Sequence, residues 1–174
     1  EIKISHTSGL FFYIATLIVC KVFACDPNIE KIVSFGIIIV FAGLLDDKFS
    51  LTPGVKLLFL SITVGLCVHE GYYLNDLGNY EYLGFIKLGN FNLIFTFLTA
   101  CLLINSYNYI DGVDGLLILN SITGLLYLIF IINNSEITLF FSYLIIALLI
   151  NLFFNLMKIN SGLKSLMGDT GSLF

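Results

Sequence analysis

The chain has 174 residues, of which 58% are hydrophobic and 11% charged, with a mean hydropathy of +0.99. Soluble domains carry roughly 25% charged residues, so most of this surface faces something other than water, and a lipid bilayer is the solvent that fits. Lysine supplies all 8 basic residues and the formal charge is −4, which excludes the basic footprint of a nucleic-acid binder.

A membrane helix needs about 20 mostly apolar residues. Six candidate spans are predicted, over 9–25, 31–45, 56–74, 92–109, 113–132 and 137–155. The second is short and is expected to extend into its flanks. The fold class is therefore all-α: a polytopic transmembrane helical bundle, forming one integral-membrane unit over 1–174. Between the first two spans, "DPNIE" (26–30) reads as a turn, because Pro27 lacks an amide hydrogen and fixes its own φ. The longest connection, 75–91, contains "YEYLGFIKLGN", whose aromatic and β-branched residues between glycines predict a short β-hairpin in the outer loop. "NNSE" (133–136) reads as a tight turn. The 4 cysteines, Cys20, Cys25, Cys67 and Cys101, are scattered along apolar runs without metal-type spacing and read as small apolar side chains.

Six spans put 46–55, 110–112 and 156–174 on one face and 26–30, 75–91 and 133–136 on the other. Lys3, Lys48, Lys158 and Lys164 lie on the first face, with Lys56 at its border, so the positive-inside rule favours that face as cytoplasmic. Five acids also gather there: Asp46, Asp47, Asp111, Asp114 and Asp169. Acids at a membrane are costly unless paired, hydrated or metal-bound. A divalent cation is one way to satisfy such a cluster.

Three segments carry the chemistry. In "LLDDKFSLTPGVKLL", Asp46 and Asp47 are adjacent carboxylates, expected in the turn between two spans. They repel, and a metal would relieve the repulsion, or one could act as a base while the other steers it; a solvated helix end is the plainer explanation. In "NSYNYIDGVDGLL", Asn105, Asn108, Asp111 and Asp114 recur at every third residue. On a continuous helix each such step drifts by about 60°. A helix end opening into a turn at Gly112 and Gly115 would converge them better. Amides and carboxylates at such a break suit Mg²⁺; a polar helix-to-helix turn is the alternative, disfavoured because the amides extend well back into an apolar span. In "LMGDTGSLF", Gly168 and Gly171 let the backbone approach a phosphate. Alternatively, Asp169 or Thr170 caps the next helix.

Taken together and in this order, these segments resemble the polyprenyl-phosphate N-acetylhexosamine-1-phosphate transferases, the glycosyltransferase 4 superfamily that includes phospho-N-acetylmuramoyl-pentapeptide transferase. The resemblance implies Mg²⁺-dependent transfer of a sugar-1-phosphate from a UDP-sugar to polyprenyl phosphate, releasing UMP, in cell-envelope glycan biosynthesis. Mn²⁺ is the alternative metal. The form of the first motif and Tyr107 before Asn108 lean to the UDP-N-acetylglucosamine branch, with the muramoyl-pentapeptide branch second. By motif, Asp46 and Asp47 match the catalytic aspartate pair, and Asp169 matches the principal metal ligand, with Asn108 beside it. Asn105, Asp111, Asp114, Lys56 and Gly168 match nucleotide- or phosphate-side positions, and Lys48 is a second candidate lysine.

The resemblance also implies a bacterial plasma-membrane protein with its site facing the cytoplasm, and by analogy a homodimer. The chain departs from the family in places. "KISHTSGLFF" keeps only Lys3, His6 and Gly9 of an early basic motif. Further spans and a histidine-rich loop are expected after Phe174, so the chain reads as a fragment from the middle of a larger fold. His69 sits at the opposite end of a span from the acids and reads as structural. Two other functions remain open: a cation- or proton-coupled transporter, which would place acids near mid-span, and an inactive remnant.

Overall fold

The computed structural model describes residues 8–23, 26–111, 115–132, 134–157, 165 and 167–174. Helix α1 is Ser8–Val22, α2 is Pro27–Phe49 and α3 is Pro53–His69. Strands β1 (Asp76–Tyr80) and β2 (Gly84–Lys87) follow, and a single 3₁₀ turn at Gly89–Phe91 leads into α4 (Asn92–Ile110). Then come α5 (Leu116–Ile131), α6 (Ser135–Asn155) and the short α7 (Gly168–Leu173).

Local chemistry sets the helix ends, and it corrects several sequence expectations. "DPNIE" is the start of α2 and not a separate turn: the Asp26 side chain accepts from the Asn28 amide at 2.7 Å, with Pro27 at the first helical position. Helix α2 then runs on to Phe49, so Asp46 and Asp47 lie in its last turns and not in the following loop. The helix stops where Ser50 adopts a left-handed conformation, φ 52°, its amide donating to the Asp46 carbonyl at 2.8 Å. Pro53 starts α3 three residues later. Asn134 caps α6 by accepting from the amides of Glu136 and Ile137. The hairpin is present but begins earlier than expected, pairing Asp76 with Lys87, Asn79 with Phe85 and Tyr80 with Gly84.

Among the described residues, three helices are long and apolar enough to cross a membrane: Pro27–Phe49, Gly89–Ile110 and Ser135–Asn155. The other three apolar helices, α1, α3 and α5, are shorter than the spans expected of them. α5 has 16 residues; at roughly 1.5 Å per residue it is about 24 Å long, against a hydrocarbon core of about 30 Å. Glycine sets two of these limits. Left-handed Gly115 (φ 76°) precedes α5, and Gly71 (φ 97°) follows α3. Large side chains such as Phe130, Leu102 and Ile37 are exposed on the outer faces of the bundle, as expected for helices bounded by lipid.

Among the described residues the interior has three apolar clusters. Tyr13, Val33, Val40 and Phe140 join α1, α2 and α6. Leu117, Ile118 and Leu148 join α5 to α6, with Met167 packed on them. Ile39, Leu60, Val64 and Leu173 join α2, α3 and α7. At the hairpin end, ion pairs Lys21–Glu30 and Lys31–Glu70 tie neighbouring helices together, and the Tyr72 hydroxyl donates to Asn28 Oδ1 at 3.0 Å. The hydrogen bond and charge of Lys31 hold the Glu70 carboxyl below its ordinary range.

Helix α7 is the keystone of the other end. It is six residues long, and Thr170, Gly171, Ser172 and Leu173 are all buried. It fits because two neighbouring helices lack a side chain where it passes. A Cβ on Gly43 would lie 2.3 Å from Thr170 Cα, and one on Gly9 would lie 2.2 Å from the Gly171 nitrogen. Gly43→Ala should therefore lower stability by about 1–3 kcal/mol through overpacking against backbone. Gly65, on α3, has open space around it, so Gly65→Ala should be neutral or stabilising by about 0.5–1 kcal/mol. Thermal unfolding in detergent reads both, and equal effects at the two positions would contradict the packing described.

Candidate active site

The site is assembled from four elements. Asp46 comes from the end of α2, Lys56 from the first turn of α3, Asn108 from the last turn of α4, and Asp169 from α7. Lys56 Nζ is 2.6 Å from Asp46 Oδ2 and also forms an ion pair with Asp169 Oδ2. Asn108 Nδ2 donates to Asp169 Oδ1 at 2.9 Å and to Ser172 Oγ at 2.8 Å. The second Asp46 oxygen accepts from the Leu51 amide at 2.6 Å. The Asp46 side chain is only 10% exposed, and those of Lys56 and Asp169 are 24% exposed. Electrostatic attraction is screened less here than at an open surface.

Asp47 does something different. Its Oδ1 accepts from the Asp169 amide at 3.1 Å, and its Oδ2 accepts from the Thr170 hydroxyl at 2.7 Å. It is thus an N-terminal cap for α7 supplied by another helix. The sequence expectation that Asp169 or Thr170 would open this helix is corrected accordingly. Gly168 lets the carboxylate in: its φ is +64°, and a Cβ there would lie 3.0 Å from both Asp47 carboxylate oxygens. Successive residues on a helix point about 100° apart, which is why one aspartate of the pair reaches Lys56 while its neighbour reaches α7.

The remaining candidates are placed as follows. Asn105 is one turn before Asn108 on α4, half-buried. Asp111 caps the end of α4, where the helix stops before the glycine-containing segment as expected. Asp114 lies outside the described residues. Lys48 does not join the acids: it is exposed, with its ammonium over the Phe49 ring at 5.0 Å. His69 ends α3, away from the site. Ser172 was not singled out from the sequence, and Thr170 only as an alternative cap for the next helix. Their only signal is that both hydroxyls lie inside "GDTGS".

Among the described residues, no three His, Cys, Asp or Glu side chains stand close enough to hold a metal ion. The site instead offers two carboxylates, Asp46 and Asp169, and the Asn108 amide oxygen. These are hard oxygen donors, and Mg²⁺ commonly takes only one or two protein carboxylates, with water and phosphate supplying the rest. The two carboxylates already converge on one cation, the Lys56 ammonium. The donor set fits Mg²⁺ on that basis.

The model of glycosyl transferase family 4 matches residues 30–174. The undecaprenyl-phosphate alpha-N-acetylglucosaminyl 1-phosphate transferase of Yersinia pestis is 27% identical over 151 residues, covering 84% of this chain and 41% of that protein. Proteins of the same name from Escherichia coli O157:H7 and Escherichia coli strain K12 are each 27% identical over 150 residues, with the same coverage. The chain thus spans about two-fifths of the length of these relatives, 41%. No solved structure matches it significantly. The family match takes in Asp46, Lys56, Asn108 and Asp169 together, and the chain belongs to glycosyl transferase family 4.

Proposed function

We propose that this protein takes part in Mg²⁺-dependent transfer of N-acetylglucosamine-1-phosphate from UDP-N-acetylglucosamine to a polyprenyl phosphate, releasing UMP, at the cytoplasmic face of a bacterial plasma membrane. The observation that carries the reading is the meeting of Asp46, Lys56, Asn108 and Asp169, from four separate elements, at one end of an apolar bundle. The relatives' names favour N-acetylglucosamine over the muramoyl-pentapeptide substrate. The acids sit at helix ends and not in mid-span, which favours a transferase over an ion path. In this reading all six apolar helices cross the bilayer, the shorter ones with their loops in the headgroup layer. A homodimer follows only by analogy with the family.

The reaction joins an oxygen of the lipid phosphate to the sugar-bearing phosphorus, and the bond from that phosphorus to the UMP oxygen breaks, with the electron pair leaving on UMP. Bound Mg²⁺ would supply charge compensation for the diphosphate. The protein's own residues do the rest. Asp46 faces the attacking lipid phosphate, accepting its proton or orienting it. Lys56 offers a cation to a phosphate oxygen. Asn108 fixes the Asp169 carboxylate, and Asp47 holds the helix that carries it. Asn105, Asp111 and Asp114 line the nucleotide side. The apolar helices keep the prenyl chain beside the acids, so that two substrates from different phases meet in one orientation.

Asp169→Asn and Asp46→Asn should each reduce Mg²⁺-dependent UMP release from UDP-N-acetylglucosamine by at least about 10²-fold, with normal membrane insertion; turnover at the parent rate would remove the assignment. Asp47→Ala should lower thermal stability by about 1 kcal/mol and activity with it, whereas Asp46→Asn should leave the melting temperature nearly unchanged. Direct attack also predicts that substrate labelled at the sugar-bearing phosphorus leaves no label on the protein; a labelled aspartate after acid quench would establish a covalent phospho-enzyme instead.

A further inference from the structure

Resting on the metal reading above, we infer that Lys56 is an exchangeable internal counter-ion: its ammonium holds Asp46 and Asp169 together until a divalent cation takes its place, and it then turns to a substrate phosphate. The two carboxylates belong to helices separated by more than a hundred positions in sequence, yet both reach the same ammonium. Each carboxylate has a second anchor that does not depend on Lys56. Asp46 accepts from the Leu51 amide, and Asp169 accepts from Asn108. The acids therefore stay in position if the lysine leaves.

Charge decides the order of events. With Lys56 between them the two acids carry a net charge of −1; a divalent cation between them neutralises them and leaves the ammonium unpaired. An unpaired, partly buried ammonium costs free energy that an incoming phosphate oxygen recovers. Lysine suits the exchange, since its charge sits on a flexible four-carbon stem, and the backbone of Lys56 is fixed in the first turn of α3 behind Pro53. The same residue thus couples the two ligands. Cation binding favours phosphate binding, and by linkage the reverse holds equally.

One substitution should then move two affinities in opposite directions. Mn²⁺ binding to the protein in detergent, followed by electron paramagnetic resonance without nucleotide, should tighten by about tenfold or more in Lys56→Met, because a competing charge is gone. UDP-N-acetylglucosamine binding at saturating Mg²⁺ should weaken in the same variant by a similar factor. Lys56→Arg, which keeps the charge, should hold Mn²⁺ within about threefold of the parent. Should Lys56→Met prove fragile, the rise in melting temperature on adding Mg²⁺ should be larger for Lys56→Gln than for the parent. Unchanged or weaker Mn²⁺ binding in Lys56→Met overturns the exchange while leaving the metal site standing. No Mn²⁺ binding by the parent or any variant overturns the metal reading and the exchange together.

Discussion

The carboxylate of Asp47 joins the end of α2 to the start of α7, 122 residues away, by accepting from the Asp169 amide and the Thr170 hydroxyl. The rest of the site depends on that contact. A six-residue helix cannot form a stable unit by itself, since helix nucleation is costly and most helical stability comes from packing. Here the first turn receives a charged cap, and the body is sunk between Gly9 and Gly43, where no side chain stands in the way. Leu173 and Phe174 complete the anchorage. Leu173 enters the cluster with Ile39 and Leu60, and the Phe174 ring packs edge-on to Tyr13 at 4.8 Å.

Fixing α7 fixes Asp169, and with it the charge balance of the site. Two carboxylates near a bilayer are tolerable when opposite charge and hydrogen-bond donors surround them. Lys56, Asn108 and the Leu51 amide supply both. The short link between α2 and α3 is part of the same device. Left-handed Ser50 turns the chain at once, so Lys56 returns beside Asp46, one turn into the next helix. Groups from several segments are thereby placed at one end of the bundle, while the hairpin and the Lys31–Glu70 ion pair between helices lie at the other.

The two aspartates that stand side by side in the chain show where sequence reading stops. As a motif they form one acidic pair, and nothing in the sequence says which of the two does what. In the fold they diverge: Asp46 meets a cation and Asp47 caps a helix. The reason is helical geometry. Had the pair lain in a loop, as expected, both side chains could have turned to one ligand; because α2 continues to Phe49, adjacent side chains must point in different directions. The hairpin followed the same pattern, with its existence legible in the aromatic residues between glycines and its register decided by Asp76 pairing with Lys87. Ser172 was silent and Thr170 was legible only as a possible cap, because a hydroxyl in a glycine-rich motif has no distinctive spacing until a partner is placed against it.

What the sequence by itself determined is the solvent and the cast. Its apolar composition called for helices in lipid, and three short polar segments in a fixed order offered Asp46, Lys56, Asn108 and Asp169 as candidates. These are properties of composition and local order, which the chain carries wherever it is. The division of labour between Asp46 and Asp47 and the placing of one ammonium between two distant carboxylates were decided only by tertiary structure. They depend on close packing of α7 against glycines from two other helices, and contacts between residues far apart in the chain leave no local periodicity to read.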